Sequence, residues 1–313
     1  MATKKPNNVL AAKKKPLLVR ARRDVRRNWD LYLIILPILI YYAIFHYAPM
    51  YGAIIAFQNY KPAKGIFGSQ WVGLKNFQTF FGTYYFWTLL KNTLKISVTS
   101  LLVHFPTEIL LAILINELRS KKFARVVQTV TYMPHFISLV VVCGMVIQFT
   151  KSNGIITKLF GMSSPMLNDG KLFLPIYIIS DVWQQVGWGS IIYLAALTGI
   201  DQQLYEAAEI DGAGRFKQTI YITLPGILPT VTVLFIMRIG RVMSLGADRV
   251  LLLYNKAIYD DADIFATYVY RRGIENTDWS YSSAVGLFNS VINLTLVVVA
   301  NAISRRINQL SIW

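Results

Sequence analysis

Charge is scarce in this chain. Asp, Glu, Lys and Arg together make up 15% of its 313 residues, against roughly 25% in an average soluble protein. A water-facing globule needs more charge than this to cover its surface, so an ordinary soluble fold is excluded. Cysteine is almost absent too: Cys143 alone permits no internal disulfide. Set in an apolar run, it reads as a small buried hydrophobe. The three histidines, His46, His104 and His135, are dispersed and lack metal-ligand spacing. No metal site follows, and a membrane enzyme built on clustered His, Asp or Glu is disfavoured. No G-x-x-x-x-G-K followed by Ser or Thr occurs, so no phosphate-cradling loop is present. No catalytic residue and no cofactor are assigned.

What is abundant is apolar. Hydrophobic residues reach 54% and mean hydropathy is +0.43. At about 20 apolar residues per crossing, the chain reads as an all-α polytopic membrane protein with six spans, at 29–56, 89–115, 126–149, 172–198, 219–243 and 284–303. The first apolar stretch is too long for a signal-peptide core and no small-residue cleavage site follows it. Pro37 and Pro49 fall in or at the end of the first span, which membrane helices tolerate.

Net charge is +16, and its distribution sets orientation. Residues 1–27 form a basic tail carrying Lys4, Lys5, Lys13, Lys14, Lys15, Arg20, Arg22, Arg23, Arg26 and Arg27, with only Asp24 opposed. Because the tail runs straight into a span, topology and anionic membrane lipid explain it better than nucleic acid does. The loop 116–125 holds Arg119, Lys121, Lys122 and Arg125, and the carboxyl end holds Arg305 and Arg306. These basic segments alternate as six spans with both termini cytoplasmic require. Segment 244–283 carries Asp248, Asp260, Asp261, Asp263, Glu275 and Asp278 against four basic residues, so it is placed outside. The aromatic segment 57–88 is also external and reads as a packed cap or an interfacial layer. The tail at 1–27 is thus followed by one transmembrane domain, 28–313.

The connector between the fourth and fifth spans then lies in the cytoplasm. It reads Glu206-Ala-Ala-Glu-Ile-Asp-Gly-Ala-Gly-Arg-Phe-Lys-Gln-Thr-Ile-Tyr-Ile-Thr-Leu-Pro225. Asp201 is placed to cap a helix over Gln202–Ile210, which Glu and Ala favour. Gly212 and Gly214 permit a sharp turn. Arg215–Ile222 suits a second helix, and Pro225 marks where it meets the fifth span. Without a partner, the same residues describe a plain amphipathic interface helix.

Glu206, Ala207, Ala208, Gly212, Ile222, Leu224 and Pro225 fill every fixed position of the EAA loop, and the chain resembles the permease subunits of ABC importers. Asp181-Val-Trp-Gln-Gln-Val-Gly-Trp, Tyr193-Leu-Ala-Ala-Leu, Tyr47-Ala-Pro-Met-Tyr-Gly, Trp71-Val-Gly-Leu-Lys-Asn-Phe and Met133-Pro-His-Phe-Ile-Ser extend the likeness. Together they look like the carbohydrate-uptake, maltose-permease-F-like family, in the subgroup importing oligosaccharides derived from complex polysaccharides. The resemblance implies a second, different permease subunit, two ATPase subunits that bind the ATP, and an extracytoplasmic solute-binding protein. It implies that Glu206, Ala207, Ala208, Asp211, Gly212, Leu224 and Pro225 couple to the ATPase, with Glu206 pairing to a basic partner residue. The chain itself would be no enzyme. It would be a multi-pass subunit of the cell membrane forming half of an oligosaccharide path.

Such a path needs aromatic faces for sugar rings and hydrogen-bonding groups for hydroxyls. Candidates are Trp183, Gln184, Gln185, Trp188 and Tyr193 on the fourth span, and Asn289 and Asn293, four apart on one face of the sixth. The competing reading for each is polar glue between helices. Arg238 and Arg241 near the end of the fifth span would suit an anionic sugar such as a uronate, but snorkelling to headgroups is the plainer expectation. His104 and Glu108, one turn apart, read as a satisfied buried or interfacial pair rather than a proton relay. An ion-coupled secondary transporter would show repeats and buried coupling acids, which this sequence does not offer. An ABC permease for a non-sugar solute stays open.

Overall fold

The computed structural model describes residues 26–244 and 247–308. It is helical nearly throughout, with one two-stranded sheet among the described residues. The basic tail expected at 1–27 lies outside the described residues except for Arg26 and Arg27. The chain divides into two compact units near Ile54. The first contributes α1 (Trp29–Tyr42), whose side chains are exposed throughout. Apolar on every face, this helix has nothing to keep dry except in lipid. Helical geometry continues to Phe57, so the apolar stretch runs Trp29–Phe57.

The second unit begins with the aromatic segment. Strands β1 (Gln58–Asn59) and β2 (Gln70–Trp71) pair antiparallel, and α2 (Lys75–Phe81) follows. Asn76 Nδ2 donates to the carbonyls of Ala56 and Gln58 at 2.8 and 3.1 Å, closing the hairpin. Phe80 is buried among Phe86, Phe265, Tyr281 and Phe288, its ring centroid 5.2–6.1 Å from theirs. The segment therefore packs as a cap, held by edge-to-face aromatic contacts.

Long helices carry the rest: α3 (Tyr85–Asn116), α4 (Lys121–Tyr132), α5 (Leu139–Thr150), α6 (Gly170–Thr198), α7 (Gln202–Ile210), α8 (Leu224–Ile239), α9 (Ala247–Leu253), α10 (Phe265–Tyr270) and α11 (Trp279–Asn308). Among the described residues, five helical stretches are long and apolar enough to cross a membrane: Trp29–Phe57, Tyr85–Asn116, Leu139–Leu159, Arg215–Ile239 and Trp279–Arg306. The expected fourth span coincides with α6. Its 29 residues reach about 43 Å at 1.5 Å per residue, but Asp181, Gln184 and Gln185 interrupt its apolar character.

One expectation needs correction. The third span, read as one helix over 126–149, is broken: α4 ends at Tyr132, a 3-10 turn covers Met133–Phe136, and Ile137 is extended before α5 begins. Pro134 has no N–H to continue the ladder. The carbonyl freed at Ile137 accepts from Gln184 Nε2 at 2.8 Å, which satisfies it without water. The stretch able to cross is Leu139–Leu159. Pro225 stands where the connector helix meets the fifth span, and it does not interrupt the helix. Helix runs from Arg215 to Ile239 through a π turn at Thr219–Thr223, and Pro225 sits in the first turn of α8. A π turn just ahead of proline relieves the clash that its ring would otherwise make with the preceding turn.

The segment 244–283, placed outside by its charge, packs partly into the interior of the protein. Asp263 is fully buried, accepting from Thr267 Oγ1 at 2.6 Å and from Arg271. Arg271 lies 4.2 Å over the Tyr259 ring. Burial pushes the Asp263 carboxyl above its ordinary range, while Thr267 and Arg271 pull it down by donating to it. Arg249 is only 3% exposed and reaches into the bundle.

Gly189 on α6 shows how closely the helices pack. A Cβ there would land on the Glu108 carboxylate of α3. Helix propensity alone favours Gly→Ala by about 1 kcal/mol; a buried clash costs about 1–3 kcal/mol. Gly189→Ala is therefore expected to lower the melting temperature of the detergent-solubilised chain. Gly286→Ala, on α11 with open space around it, is expected to leave it unchanged or raise it.

Candidate functional site

Two regions concentrate polar chemistry. The first is a cavity of about 450 Å³ between α3, α6 and the end of α8, with His104, Glu108, Asp181, Gln185, Trp188, Arg238 and Arg241 in its wall. Its size is that of a small-ligand site. The residues converge because of helical period. His104 and Glu108 are four apart on α3; Asp181, Gln185 and Trp188 fall at i, i+4 and i+7 on α6, one stripe of one face.

The charges are paired. Arg238 Nη2 lies 2.5 and 2.6 Å from the two Glu108 carboxylate oxygens. Its Nη1 lies 3.0 Å from His104 Nδ1, which is also 3.1 Å from Glu108 Oε1, and the guanidinium stands 5.5 Å from the Phe105 ring centroid. Glu108 itself is 1% exposed, so this partner is what permits it to be charged. The outward snorkelling expected of Arg238 is thus corrected: the side chain turns inward because a buried carboxylate attracts it more than headgroups do. On the opposite side, Arg249 Nη2 lies 3.3 Å from Asp181 Oδ1 and donates to Gln184 Oε1 at 2.5 Å. Two acids face two arginines, and the four charges cancel.

The aromatic wall is equally built. His135 stacks on Trp188 with ring centroids 4.4 Å apart and planes 2° from parallel, and His135 Nδ1 hydrogen-bonds Gln185 Oε1 at 2.8 Å. Phe136 meets Trp188 edge-on. The break at Pro134 delivers His135 and Phe136 to this place. Trp188 stays 46% exposed, leaving one indole face open to the cavity.

The other residues named for a sugar path lie elsewhere. Gln184 is buried, bridging Ile137 and Arg249. Trp183, about 200° around the helix from Gln185, lines a separate apolar cavity with Val142 and Ile179. Tyr193 is fully buried against Phe105. Asn293 Oδ1 accepts from the Met243 N–H at 3.1 Å, and Asn289, on the same helix, is half-buried. Glu108, His104 and Asp181 were not named for that path, and Arg238 and Arg241 only as the alternative to snorkelling. Their common signal was the i, i+4, i+7 spacing of polar residues inside apolar runs.

The second region is the 201–225 connector. Asp201 Oδ1 accepts from Gln203 N–H at 3.0 Å, capping α7. At its far end Gly212 has φ +75°. Gly212 N–H donates to the Glu209 carbonyl at 3.0 Å and Ala213 N–H to the Ala208 carbonyl at 2.8 Å. This is a Schellman cap, and it explains why a glycine stands four residues after Ala208. Tyr205 Oη lies 2.9 Å from Thr223 Oγ1, and Arg215 Nη1 lies 3.5 Å from Glu117 Oε2. These bonds tie the connector to α3 and to the helix entering α8.

Its outer face is unusual. Glu206, Ala207, Asp211 and Gly212 are exposed, and Glu206 has no ion-pair partner among the described residues. Leu204, Ile210, Phe216 and Tyr221 are 53%, 87%, 78% and 75% exposed around it. Leu224 and Pro225 are exposed on the adjoining helix. A polar connector that displays four large apolar side chains has the make-up of a docking surface.

Residues 105–309 match the family described as binding-protein-dependent transport system inner membrane component. The polygalacturonan/rhamnogalacturonan transport system permease protein YteP of Bacillus subtilis (strain 168) is 44% identical over 96% of this chain and 94% of its own length. Protein LplB of the same organism is 44% identical over 91% of each. The fold is similar to a bacterial ABC transporter involved in the import of the acidic polysaccharide alginate. There the TM-score is 0.85 at 40% identity, over 92% of this chain and 99% of that chain. The alginate ABC transporter in complex with an alginate pentasaccharide-bound periplasmic protein gives a TM-score of 0.86 over 94% of this chain. With the match covering most of its length, and with apolar helices suited to a bilayer, this chain belongs to the inner membrane components of binding-protein-dependent transport systems, as a multi-pass, non-enzymatic permease subunit.

Proposed function

We propose that this chain forms half of the translocation path of an ATP-driven importer for uronate-containing oligosaccharides. Six spans would cross the membrane with both termini in the cytoplasm, α6 being the span rich in polar groups. A second, different permease subunit would complete the path. Two ATPase subunits would bind the nucleotide, so no cofactor belongs to this chain. The solute-binding protein would deliver the sugar from outside.

The observation that carries the reading is the connector: a capped helix with Glu206 and four apolar side chains outward, bonded through Tyr205 and Arg215 to two long helices. A rigid projection of this kind moves with the helices it is tied to, which is what coupling to a closing ATPase dimer requires. Supporting the substrate class, YteP and the alginate transporter are named for polyuronates. The cavity on α6 also offers one open indole face, suited to a sugar ring, beside charged and amide groups.

Purification of the tagged chain from its host in mild detergent tests the assembly. Recovery of a second permease, an ATPase and a solute-binding protein that binds oligogalacturonate or alginate oligosaccharide is the expected result. Recovery of the chain alone, even after crosslinking through 201–222, would overturn it.

A further inference from the structure

The cavity charges do not stop at two acids and two arginines. Arg238 is committed to Glu108 and His104, and Arg249 to Asp181, Gln184 and Ser180. Arg241 is the remaining cation in the wall. Its side chain is exposed and makes no ion pair among the described residues. Its backbone N–H donates to the Arg238 carbonyl at 3.0 Å, which fixes its root one turn beyond Arg238.

A second group in the same wall also lacks a partner. His104 is 8% exposed, and its Nε2 has no hydrogen bond; the Asp181 carboxylate stands 3.9 Å away. Arg238 Nη1 and the Glu108 carboxylate both stand at His104 Nδ1, at 3.0 and 3.1 Å, so this ring nitrogen is occupied and Nε2 is the one left toward the cavity. Among the described residues the cavity therefore holds an unpaired guanidinium and a buried imidazole nitrogen without a hydrogen bond. Every acidic side chain lining it is already matched by another arginine. A neutral sugar would leave this positive excess unanswered, whereas a carboxylate satisfies it.

We infer that Arg241 is the residue that recognises a substrate carboxylate in the translocation path, with His104 Nε2 hydrogen-bonding a neighbouring hydroxyl of the same sugar. Arg238, held by Glu108, positions His104 and does not meet the sugar's charge. This rests on the reading of the chain as an oligosaccharide permease. Trp188 supplies the stacking face, and Arg241 supplies the discrimination between acidic and neutral sugars.

The test uses the whole importer, with its partner subunits, in vesicles, and two probes: trigalacturonate and the same trisaccharide with its carboxyl groups reduced to alcohols. Arg241→Gln is expected to slow trigalacturonate uptake by about tenfold or more, the effect of losing one charged hydrogen bond. Uptake of the reduced, neutral trisaccharide should match wild type, and Arg241→Lys should restore much of the acidic uptake. Equal trigalacturonate uptake by wild type and Arg241→Gln would overturn the assignment while leaving the importer reading intact. Equal loss for both probes, with the complex still assembled, would make Arg241 structural and also overturn it. A wild-type importer that carries the neutral trisaccharide and rejects the acid would remove the substrate class, and the inference with it.

Discussion

Replacing Arg238 with Met is expected to destabilise the membrane domain by about 3–5 kcal/mol, the cost of stranding a buried charge. Glu108 would keep its carboxylate 1% exposed and lose both short contacts to Nη2. The loss reads as a lower melting temperature of the purified chain and as reduced recovery from membranes. Glu108→Gln alone should also destabilise, because Arg238 would then be the unmatched charge. In the double variant Glu108→Gln/Arg238→Met neither charge remains, and replacing both members of such a pair is often close to neutral. The double variant is therefore expected to be more stable than Arg238→Met alone. The coupling energy follows from the four-way cycle. Additive losses would show that the pair contributes nothing as a pair, and Arg238 would then serve some other role.

Glu206→Lys is expected to abolish uptake without reducing the amount of chain in the membrane. The side chain is exposed and has no partner among the described residues, so its reversal disturbs nothing inside this subunit. Only a partner with a basic group at that place would sense it. Gly212 separates the two possible causes of failure at the turn. Its φ of +75° suits glycine, and asparagine or aspartate visit that region at modest cost. Open space surrounds the position. Gly212→Asp should therefore fold and still block uptake, through added bulk and charge at the docking face. Gly212→Val should additionally weaken the cap. Uptake by transport assay, with chain level by immunoblot of membranes, distinguishes these outcomes. Normal uptake in both Glu206→Lys and Gly212→Asp would remove the coupling role.

The connector was legible because its determinants are local. Asp201 bonds two residues ahead, Gly212 closes a helix on carbonyls three and five residues back, and helix propensity does the rest. Most span positions were legible for a related reason, that an apolar run of sufficient length has one solvent that suits it; the third is displaced to Leu139–Leu159, and the fourth is not among the stretches apolar enough to cross. The break at Pro134 was not visible in the same way. Proline inside a membrane helix is commonly absorbed, and here the outcome depends on Gln184, fifty residues on, reaching the Ile137 carbonyl. Charge counting likewise assigned the segment holding Arg249 and Asp263 a side of the membrane but did not show that both side chains are buried. A formal charge in the sequence records sign but not the direction in which its side chain points.

The cavity divides along this line. Helical period alone placed Asp181, Gln185 and Trp188 on one stripe, and His104 with Glu108 on another. By itself the sequence determined that this is a helical membrane protein, where its apolar segments lie, and how the 201–225 connector turns, because all three follow from near neighbours and from the solvent around them. Tertiary structure decided which stripes face one another, that Arg238 turns inward to Glu108, and that Arg241 has no ion-pair partner among the described residues. Charge pairing at 2.5–3.3 Å joins residues more than sixty positions apart, and only the packing of α3, α6, α8 and α9 brings them within that range.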